Sequence, residues 1–237
     1  MTKRSFLLGI ILALFTVTLM QAKTYLVCVG ISDYPGTKYD LRVSDNDAMT
    51  ISNLFNATKD VSSYVLLNEE ATQSALLSNM YAMFADAKKG DTVILYFSGH
   101  GTPGALACYD GKLEYKHIFK ILKGCKASRK MIIADACFSG KMRKNKRQAE
   151  SYKRYDVMLF LSSRTNERSQ ETQYKNSLFT IFLERGLRGG ADSNNDRLIT
   201  AGEIYNFVHK GVAQASSNKQ HPVMWGNFDY NMPIIKW

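Results

Sequence analysis

Five short apolar runs along the chain constrain its fold more than any other feature of the sequence. They occupy residues 24–31, 63–67, 92–97, 130–134 and 157–161, and none of them alternates cleanly between apolar and polar side chains. Strands that are apolar on both faces are typical of a parallel sheet whose two sides are covered by helices. The runs therefore predict a central parallel sheet rather than a half-exposed antiparallel one.

Helical patterns lie between these predicted strands. Apolar residues recur at helical spacing in 48–55, 76–84, 113–122, 178–187 and about 200–212. A last short strand is predicted near 223–228. Strands that alternate with helices favour a doubly wound α/β fold with right-handed crossovers. Because the 237 residues contain no linker rich in Pro, Gly or Ser, one domain is expected.

The first 22 residues are typical of an export signal. Two basic residues precede an apolar run at 6–20, and its 15 residues are short for a membrane span of about 20. Ala22 supplies a small residue before a predicted cleavage site, although Met20 stands where a second small residue is preferred. We expect 1–22 to be a signal peptide, 23–237 to be the mature domain, and the protein to be periplasmic or extracellular. An uncleaved leader that tethers the chain to a membrane is the alternative.

The four cysteines do not define a disulfide framework or a metal site. They are scattered along the chain, and no C-x-x-C pair suggests zinc or a dithiol redox centre. Cys28, Cys108 and Cys125 are interpreted as small buried hydrophobic residues or as partners in an incidental disulfide. Cys137 differs from them because it follows a predicted strand closely.

Two predicted strands end in residues suited to nucleophilic catalysis. Residues 92–97 are followed by His100 between two glycines, and 130–134 are followed by Cys137. Neighbouring parallel strands lie about 5 Å apart and end at the same edge of the sheet, so the two side chains are expected within reach of one another. A thiolate can then attack while the imidazole accepts its proton, and the backbone N–H groups of Gly101 and Cys137 can hold the oxyanion. The remaining histidines lack such a position and are interpreted as surface or structural residues: His117, His209 and His221.

Several short motifs occur in a defined order along the chain. They are 29–34 (VGISDY), 46–48 (NDA), 96–101 (YFSGHG), 135–140 (DACFSG) and 177–180 (SLFT). In this order they resemble the motifs of caspase-like cysteine peptidases, in particular bacterial metacaspase-like proteins, over essentially the whole mature chain. The resemblance implies a caspase-type three-layer α/β sandwich, with a mostly parallel sheet of about six strands and helices on both faces. It also implies a cysteine endopeptidase in which His100 is the base and Cys137 the nucleophile.

The same resemblance implies a substrate preference. Caspases that cut after Asp use arginines in the pocket for the residue before the scissile bond, whereas metacaspases use carboxylates. By that likeness Asp47 and Asp135 would form an acidic pocket, because a carboxylate pair accepts a guanidinium and repels an acidic side chain. The alternatives are that Asp135 only holds a turn and that Asp47 is favoured by a helix dipole. We expect cleavage of peptides or proteins after Arg or Lys.

A basic segment follows the predicted nucleophile. Residues 141–154 contain seven of the 31 basic residues of a chain with net charge +10, and only one acid. Caspase-like enzymes carry a processing linker at this place, so the resemblance implies self-cleavage within about 141–155. A solvated loop that is never cut is one alternative. Nucleic-acid binding is disfavoured, because the charge forms one contiguous run with no apolar periodicity rather than being spread over a face of the protein.

Residues 192–203 carry oxygen-bearing side chains at positions one, three, five, nine and twelve of a calcium loop. Arg197 stands at position six, where the sharp turn requires Gly. The simpler alternative is a set of Asx turns before a helix with a capping box of Thr200 and Glu203. Some metacaspases are activated by calcium through a cluster that includes a carboxylate seven residues after the nucleophile, but Lys144 stands there. We expect no required cofactor or metal, with calcium binding by this loop as the alternative.

A different class of function uses the same cleft. A catalytically silent or latent caspase-like module would bind a partner protein or peptide there without cutting it. The presence of both His100 and Cys137 favours the enzyme. A serine hydrolase is disfavoured, because Ser98 does not stand in a G-x-S-x-G elbow. The sequence therefore predicts an exported thiol endopeptidase.

Overall fold

A six-stranded sheet forms the centre of the computed structural model, which describes residues 22–102, 104–136, 156–164, 167 and 169–237. The strands are, in chain order, β1 (Thr24–Gly30), β2 (Val61–Leu67), β3 (Thr92–Gly99), β4 (Gly101–Thr102), β5 (Ala105–Cys108), β6 (Gly111–Glu114), β7 (Arg129–Ala136), β8 (Met158–Leu161), β9 (Leu198–Thr200), β10 (Val223–Gly226) and β11 (Pro233–Lys236). The central sheet has the order β10-β8-β7-β3-β1-β2, and only β10 is antiparallel to its neighbour. The predicted mostly parallel sheet of six strands is confirmed.

The winding of the sheet reverses between β1 and β3. The chain passes from β1 to β2 at one edge and then returns to place β3, β7 and β8 on the other side of β1. At such a switch point the crossovers diverge and leave a crevice beyond the carboxyl ends of the strands, where ligands bind. The topology therefore places a binding crevice next to the residues that follow β1 and β3.

Helices cover both faces of the sheet. They are α1 (Ser44–Asn56), α2 (Gln73–Ala85), α3 (Tyr115–Gly124), α4 (Leu178–Arg185) and α5 (Ala201–Ala215). The buried side chains of α2 and α3 join one hydrophobic cluster with one face of the sheet, whereas those of α1, α4 and α5 join a second cluster with the other face. This arrangement confirms the predicted three-layer sandwich.

The prediction for the edge strand β2 is wrong in one respect. Residues 63–67 are predicted to be buried on both faces, but Tyr64 is 46% exposed and only Leu66 of β2 is buried. The reason is that β2 forms the edge of the sheet and has a strand neighbour on one side only. Its apolar sequence covers the margin of the core rather than the centre.

A small antiparallel sheet, β4 to β6, follows β3 directly and was not predicted. Its strands are two to four residues long, which is too short for a periodic signal in the sequence. Because β6 takes residues up to Glu114, the third helix begins at Tyr115 rather than at 113.

Gly30 allows α1 to begin against the end of β1. A Cβ at this position would lie 2.3 Å from the carbonyl oxygen of Ser44, so any larger residue would push the helix away. This close approach brings the first turn of α1, and with it Asp47, to the crevice.

No helix in the described part of the chain is long and apolar enough to cross a membrane. Residues 1–21 of the predicted signal peptide and the predicted processing segment at 141–155 lie outside the described residues.

Candidate active site

Three of the predicted site residues lie at the carboxyl ends of the central strands, near the switch point: Asp47, His100 and Asp135. Ser98 of β3 pairs in register with Asp135 of β7, and His100 follows β3 directly. Asp47 reaches the same edge from the first turn of α1, where its Oδ2 accepts a hydrogen bond of 2.8 Å from Ser98 Oγ. The fold thus brings together residues that are separated by as many as 88 positions along the chain.

Cys137 follows Ala136, the last residue of β7, and lies outside the described residues. Gly99 and Ala136 are register partners, so β3 and β7 end at the same level. Gly101, the other predicted donor to the oxyanion, is half-buried in β4. The pairing of His100 with Cys137 and the oxyanion site of Gly101 and Cys137 stay predictions.

Hydrogen bonds on both sides hold His100. Its backbone N–H donates to Tyr34 Oη at 2.9 Å, and that hydroxyl donates to the carbonyl oxygen of Ala107 at 3.1 Å. The rings of Tyr34 and His100 pack at 4.9 Å between centroids. Burial raises the pKa of the Tyr34 phenol far above its ordinary value, so the hydroxyl keeps the proton that it donates.

The carbonyl oxygen of Tyr39 selects the tautomer of His100. It lies 2.7 Å from Nε2 of the imidazole. Because a carbonyl oxygen can only accept, Nε2 carries the proton, and in the neutral ring Nδ1 is then the basic nitrogen. This contact is not predictable from the sequence, since the position of a backbone carbonyl leaves no signal in the identity of the residue.

We predict that Tyr34→Phe lowers kcat/KM about tenfold with a loss of stability of about 1 kcal/mol, because it removes the hydrogen bonds to the His100 amide and the Ala107 carbonyl. Steady-state kinetics and thermal unfolding of both proteins would measure these effects. Tyr39→Phe is the matched control: its ring is 56% exposed and its carbonyl is unchanged, so activity should stay within twofold. Full activity of Tyr34→Phe would show that this hydroxyl does not position the base.

A cavity of about 370 Å³ opens beside His100. Aromatic side chains line much of it, with Cys108 in its wall and Lys112 among its lining residues. Tyr34 and Cys108 belong to the hydrophobic cluster of α2 and α3, whereas Asp47 lies in α1 on the other face of the sheet. The cavity and Asp47 therefore lie on opposite sides of the sheet.

The carboxylates of Asp47 and Asp135 are both buried and share a hydrogen-bonding neighbour. Asp47 Oδ1 accepts from Asn176 Nδ2 at 2.9 Å and from the backbone N–H of Ser177 at 3.0 Å. The hydroxyl of the same Ser177 donates to Asp135 Oδ2, and the Ser169 hydroxyl donates to Asp135 Oδ1. None of the ion pairs among the described residues includes either aspartate. In the part of the chain that the structure describes, the two carboxylates therefore form a buried acidic pair whose hydrogen-bond donors are all neutral.

Burial raises the pKa values of both carboxyl groups. For Asp47, desolvation and then the nearby charge of Asp135 raise the pKa to about 7, against the lowering effect of three hydrogen bonds. Burial also raises the pKa of Asp135, although four hydroxyl donors stabilise its charged form. A cation that entered between them would favour ionisation of both groups.

The residues that close this pair off from solvent were not predicted from the sequence. Ser169 bonds to Asp135 and also to Ser162 Oγ, at 2.6 Å. The fully buried side chain of Gln220 donates to the Ser162 carbonyl at 2.9 Å and to Ser169 Oγ at 3.3 Å, and accepts from the Gln170 amide at 2.9 Å. Ser177 is visible in the sequence only as part of the motif at 177–180. Isolated serines and a glutamine carry no spacing signal, so only the fold reveals them.

The other cysteines and histidines occupy structural positions. Cys28, Cys108 and Cys125 are buried and unbridged. Burial raises the pKa of the Cys108 thiol to about 12 and that of Cys28 further, so neither is a thiolate at neutral pH. The histidines lie on the surface or bond to structural groups: His117 is exposed, His209 Nδ1 contacts the Pro222 carbonyl, and His221 pairs with Glu167.

The 192–203 loop uses its side-chain oxygens within the loop. Asp192 accepts from the backbone N–H groups of Asp196 and Arg197, and Glu203 accepts from Ser193 and Thr200. The predicted capping box of α5 is present. Within the described ranges, no group of three or more His, Cys, Asp or Glu residues could hold a metal ion. Calcium binding by the loop stays untested.

Comparisons with known proteins bear on the class of this chain. The family model of the caspase domain matches residues 23–229. Caspase-1 from Spodoptera frugiperda has a similar structure, with a TM-score of 0.66 and 14% identity over 90% of this chain and 89% of that one. Protein GSU0716 from Geobacter sulfurreducens is also similar, with a TM-score of 0.65 and 16% identity over 87% of this chain and 94% of that one. None of the curated protein sequences compared with the chain matches it significantly.

The chain belongs to the caspase domain family. Proteins of that family have the fold of caspase-type cysteine peptidases, and the substrates of such peptidases are peptides and proteins. At identities of 14% and 16% the two structures support the fold alone.

Proposed function

We propose that the protein is a metacaspase-like cysteine endopeptidase that cleaves peptide bonds after Arg or Lys. The observation that carries the proposal is the buried pair of Asp47 and Asp135. It lies at the same end of the sheet as His100 and has no cationic partner among the described residues. Two buried carboxylates destabilise each other's charged form, and a cation that bonds to both offsets this repulsion.

The chemistry of the proposal begins at His100. Its Nδ1 takes the proton of the Cys137 thiol, and the thiolate attacks the carbonyl carbon of the basic residue of the substrate. Backbone N–H groups of Gly101 and Cys137 hold the oxyanion that forms. The imidazolium then gives its proton to the leaving amine as the C–N bond breaks. A water molecule, deprotonated by the same nitrogen, hydrolyses the thioester and regenerates the thiol.

Binding of a basic side chain requires Ser169 to release Asp135. In the empty protein Asp47 is fully buried and Asp135 is 4% exposed, with the Ser169 hydroxyl on its Oδ1. A guanidinium that displaced this hydroxyl would form two charge-assisted hydrogen bonds in its place. The Ser169 hydroxyl therefore occupies the position on Asp135 that the guanidinium would take.

The test is a set of peptides that differ only in the residue before a fluorogenic leaving group: Arg, Lys, Gln or Asp. The mature protein should turn over the Arg and Lys peptides at least about 100-fold faster, in kcat/KM, than the Asp peptide. Cys137→Ala should turn over none of them, and chelation of calcium should change no rate. Equal or faster turnover of the Asp peptide would contradict the acidic pocket.

Self-processing is part of the proposal, because 141–155 offers seven basic residues directly after the proposed nucleophile. Intact mass of the same two proteins tests it. The active protein should be cut within this segment and Cys137→Ala should remain whole. The same cut in both proteins would assign the cleavage to another peptidase.

The closed acidic pair also favours a second candidate, a latent module that binds a peptide without cutting it. It predicts that the folded protein binds an Arg peptide with equal affinity in wild type and Cys137→Ala and that neither releases the leaving group. Fluorescence anisotropy with a labelled, non-cleavable Arg peptide would measure that affinity.

A further inference from the structure

The first residues before β1 are held at the amino end of the sheet, opposite the candidate active site. The backbone nitrogen of Lys23 donates to Asp91 Oδ1 at 2.9 Å, and the carbonyl oxygen of Lys23 accepts from the backbone N–H of Thr92 at 2.8 Å. Lys23 thus bonds through both of its backbone groups to the start of β3.

Asp91 is a buried carboxylate whose two oxygens accept hydrogen bonds from backbone N–H groups. It is 6% exposed, and its second oxygen accepts from the Lys88 amide at 2.8 Å. Arg129 is the nearby cation, but its guanidinium donates to Thr92 Oγ1 and to the Gly90 carbonyl instead. None of the ion pairs among the described residues includes Asp91. A carboxylate in such a position is stabilised most by a positive charge at hydrogen-bonding distance.

Two independent observations place the beginning of the domain at Lys23. It follows Ala22, the small residue at the end of the predicted signal peptide, and the match to the caspase domain begins at residue 23. Ala22 and Lys23 are both exposed. A cut between them would turn the amide nitrogen that now faces Asp91 into an α-ammonium group.

We propose that Ala22–Lys23 is the maturation site of the protein and that the α-ammonium of Lys23 forms an ion pair with the buried Asp91 carboxylate. Water supplies the atoms of the hydrolysis: the Ala22 carbonyl becomes a carboxylate, and the Lys23 nitrogen becomes the ammonium. The cleaving enzyme is a peptidase that accepts a small residue before the bond, because Ala22 does not fit the basic preference proposed for this protein. Cleavage during export therefore places a positive charge next to Asp91 at the amino end of the sheet.

The first experiment expresses the full chain with its leader in a secreting host, in wild type and in Cys137→Ala, and measures the intact mass and N-terminal sequence. Both proteins should begin at Lys23. A start at any other residue would overturn the proposal. A start at Thr24 in wild type alone would mean that the enzyme removes Lys23 itself, and it would overturn the ion pair while supporting the proposed specificity.

The second experiment isolates the ion pair in the exported Cys137→Ala protein. A variant with one extra alanine inserted before Lys23 keeps the amide hydrogen bond to Asp91 but moves the charge one residue away. Its Tm should fall by about 3–6 °C. In an Asp91→Asn background the same insertion should leave the Tm unchanged within about 1 °C. Equal losses in the two backgrounds would overturn the ion pair.

A third measurement needs no stable Asp91 variant. Only the unprotonated form of an α-amine is acylated, so an ammonium held by Asp91 should be acylated at pH 7 at least tenfold more slowly than the α-amine of the alanine-insertion variant. Equal acylation rates, read by mass spectrometry, would overturn the proposal. The Tm and acylation measurements do not depend on peptidase activity, so a failure of this inference can be told apart from a failure of the proposed function.

Discussion

His100→Ala is expected to lower kcat for an Arg peptide by about 10³-fold or more while the protein keeps its fold. The loss follows from removal of Nδ1, the nitrogen left basic by the contact of Nε2 with the Tyr39 carbonyl. The fold should survive, because the hydrogen bond from residue 100 to Tyr34 comes from the backbone and is unchanged in alanine. Stopped-flow or steady-state kinetics and thermal unfolding would measure the two effects.

A chemical readout separates this role from a structural one. Alkylation of Cys137 by iodoacetamide at pH 6.5 should slow at least tenfold in His100→Ala, because the thiol loses the base that ionises it. Cys28, Cys108 and Cys125 are buried and should not contribute in the native protein. His117→Ala is the matched control, since His117 is exposed on α3 and should change neither rate. Unchanged turnover in His100→Ala would rule out this histidine as the base.

Asp47→Asn is expected to reduce kcat/KM for Arg and Lys peptides by about 100-fold, chiefly through KM, because the basic side chain loses a buried counter-charge. An asparagine side chain at this position can make the same number of hydrogen bonds as the aspartate. An amide oxygen can still accept from Asn176 and Ser177, and the new NH₂ group can donate to the Ser98 hydroxyl. Peptide kinetics at pH 8 would measure the effect, and retention of the Arg preference would contradict the pocket.

The same variant should be more stable than wild type above pH 7. The pKa of Asp47 is raised to about 7 in the folded protein, against about 3.9 in an unfolded chain, so the folded state binds this proton more tightly. Stability is therefore lost as the pH rises between these two values, and replacement by neutral Asn restores it. We expect a gain on the order of 2–4 kcal/mol at pH 8 that disappears near pH 4.

Denaturant titrations at pH 4 and pH 8 would measure this difference. Asp86→Asn is the control, because Asp86 is exposed at the end of α2, far from the crevice, and should show no such dependence. A loss of stability at both pH values would mean that Asp47 is ionised and compensated in the empty protein. For wild type, KM for Arg peptides should rise as the pH falls below about 7, since protonation of Asp47 removes the charge that binds substrate.

The central strands were predictable from sequence because burial on both faces requires apolar side chains at every position. Residues 92–97 and 130–134 show this requirement most clearly. The bounds of these two predicted strands lie within two residues of those of β3 and β7, respectively. The edge strand β2 and the short strands β4 to β6 were predicted wrongly or missed. Their residues meet weaker constraints, since an edge is half-solvated and a strand of two residues has no period.

The residues of the candidate site also fall into two groups, those that could be predicted from the sequence and those that could not. His100, Asp47 and Asp135 could be chosen in advance because their residue types, glycine neighbours and places after apolar runs are visible in the chain. The Tyr39 carbonyl, the Tyr34 hydroxyl, Ser169 and Gln220 could not, because they act through backbone atoms or through hydrogen bonds between distant segments.

The sequence by itself determined the class of fold and the types of residue that follow the central strands. Both can be predicted because hydrophobic periodicity and the residues after a strand are local properties of the chain. The tertiary structure alone decided which nitrogen of His100 is basic and that the two aspartates form a buried pair with no cationic partner among the described residues. It also decided that the nitrogen of Lys23 faces a buried carboxylate. Each of these depends on how far groups lie from one another and from water, and distances between remote segments arise only when the chain folds.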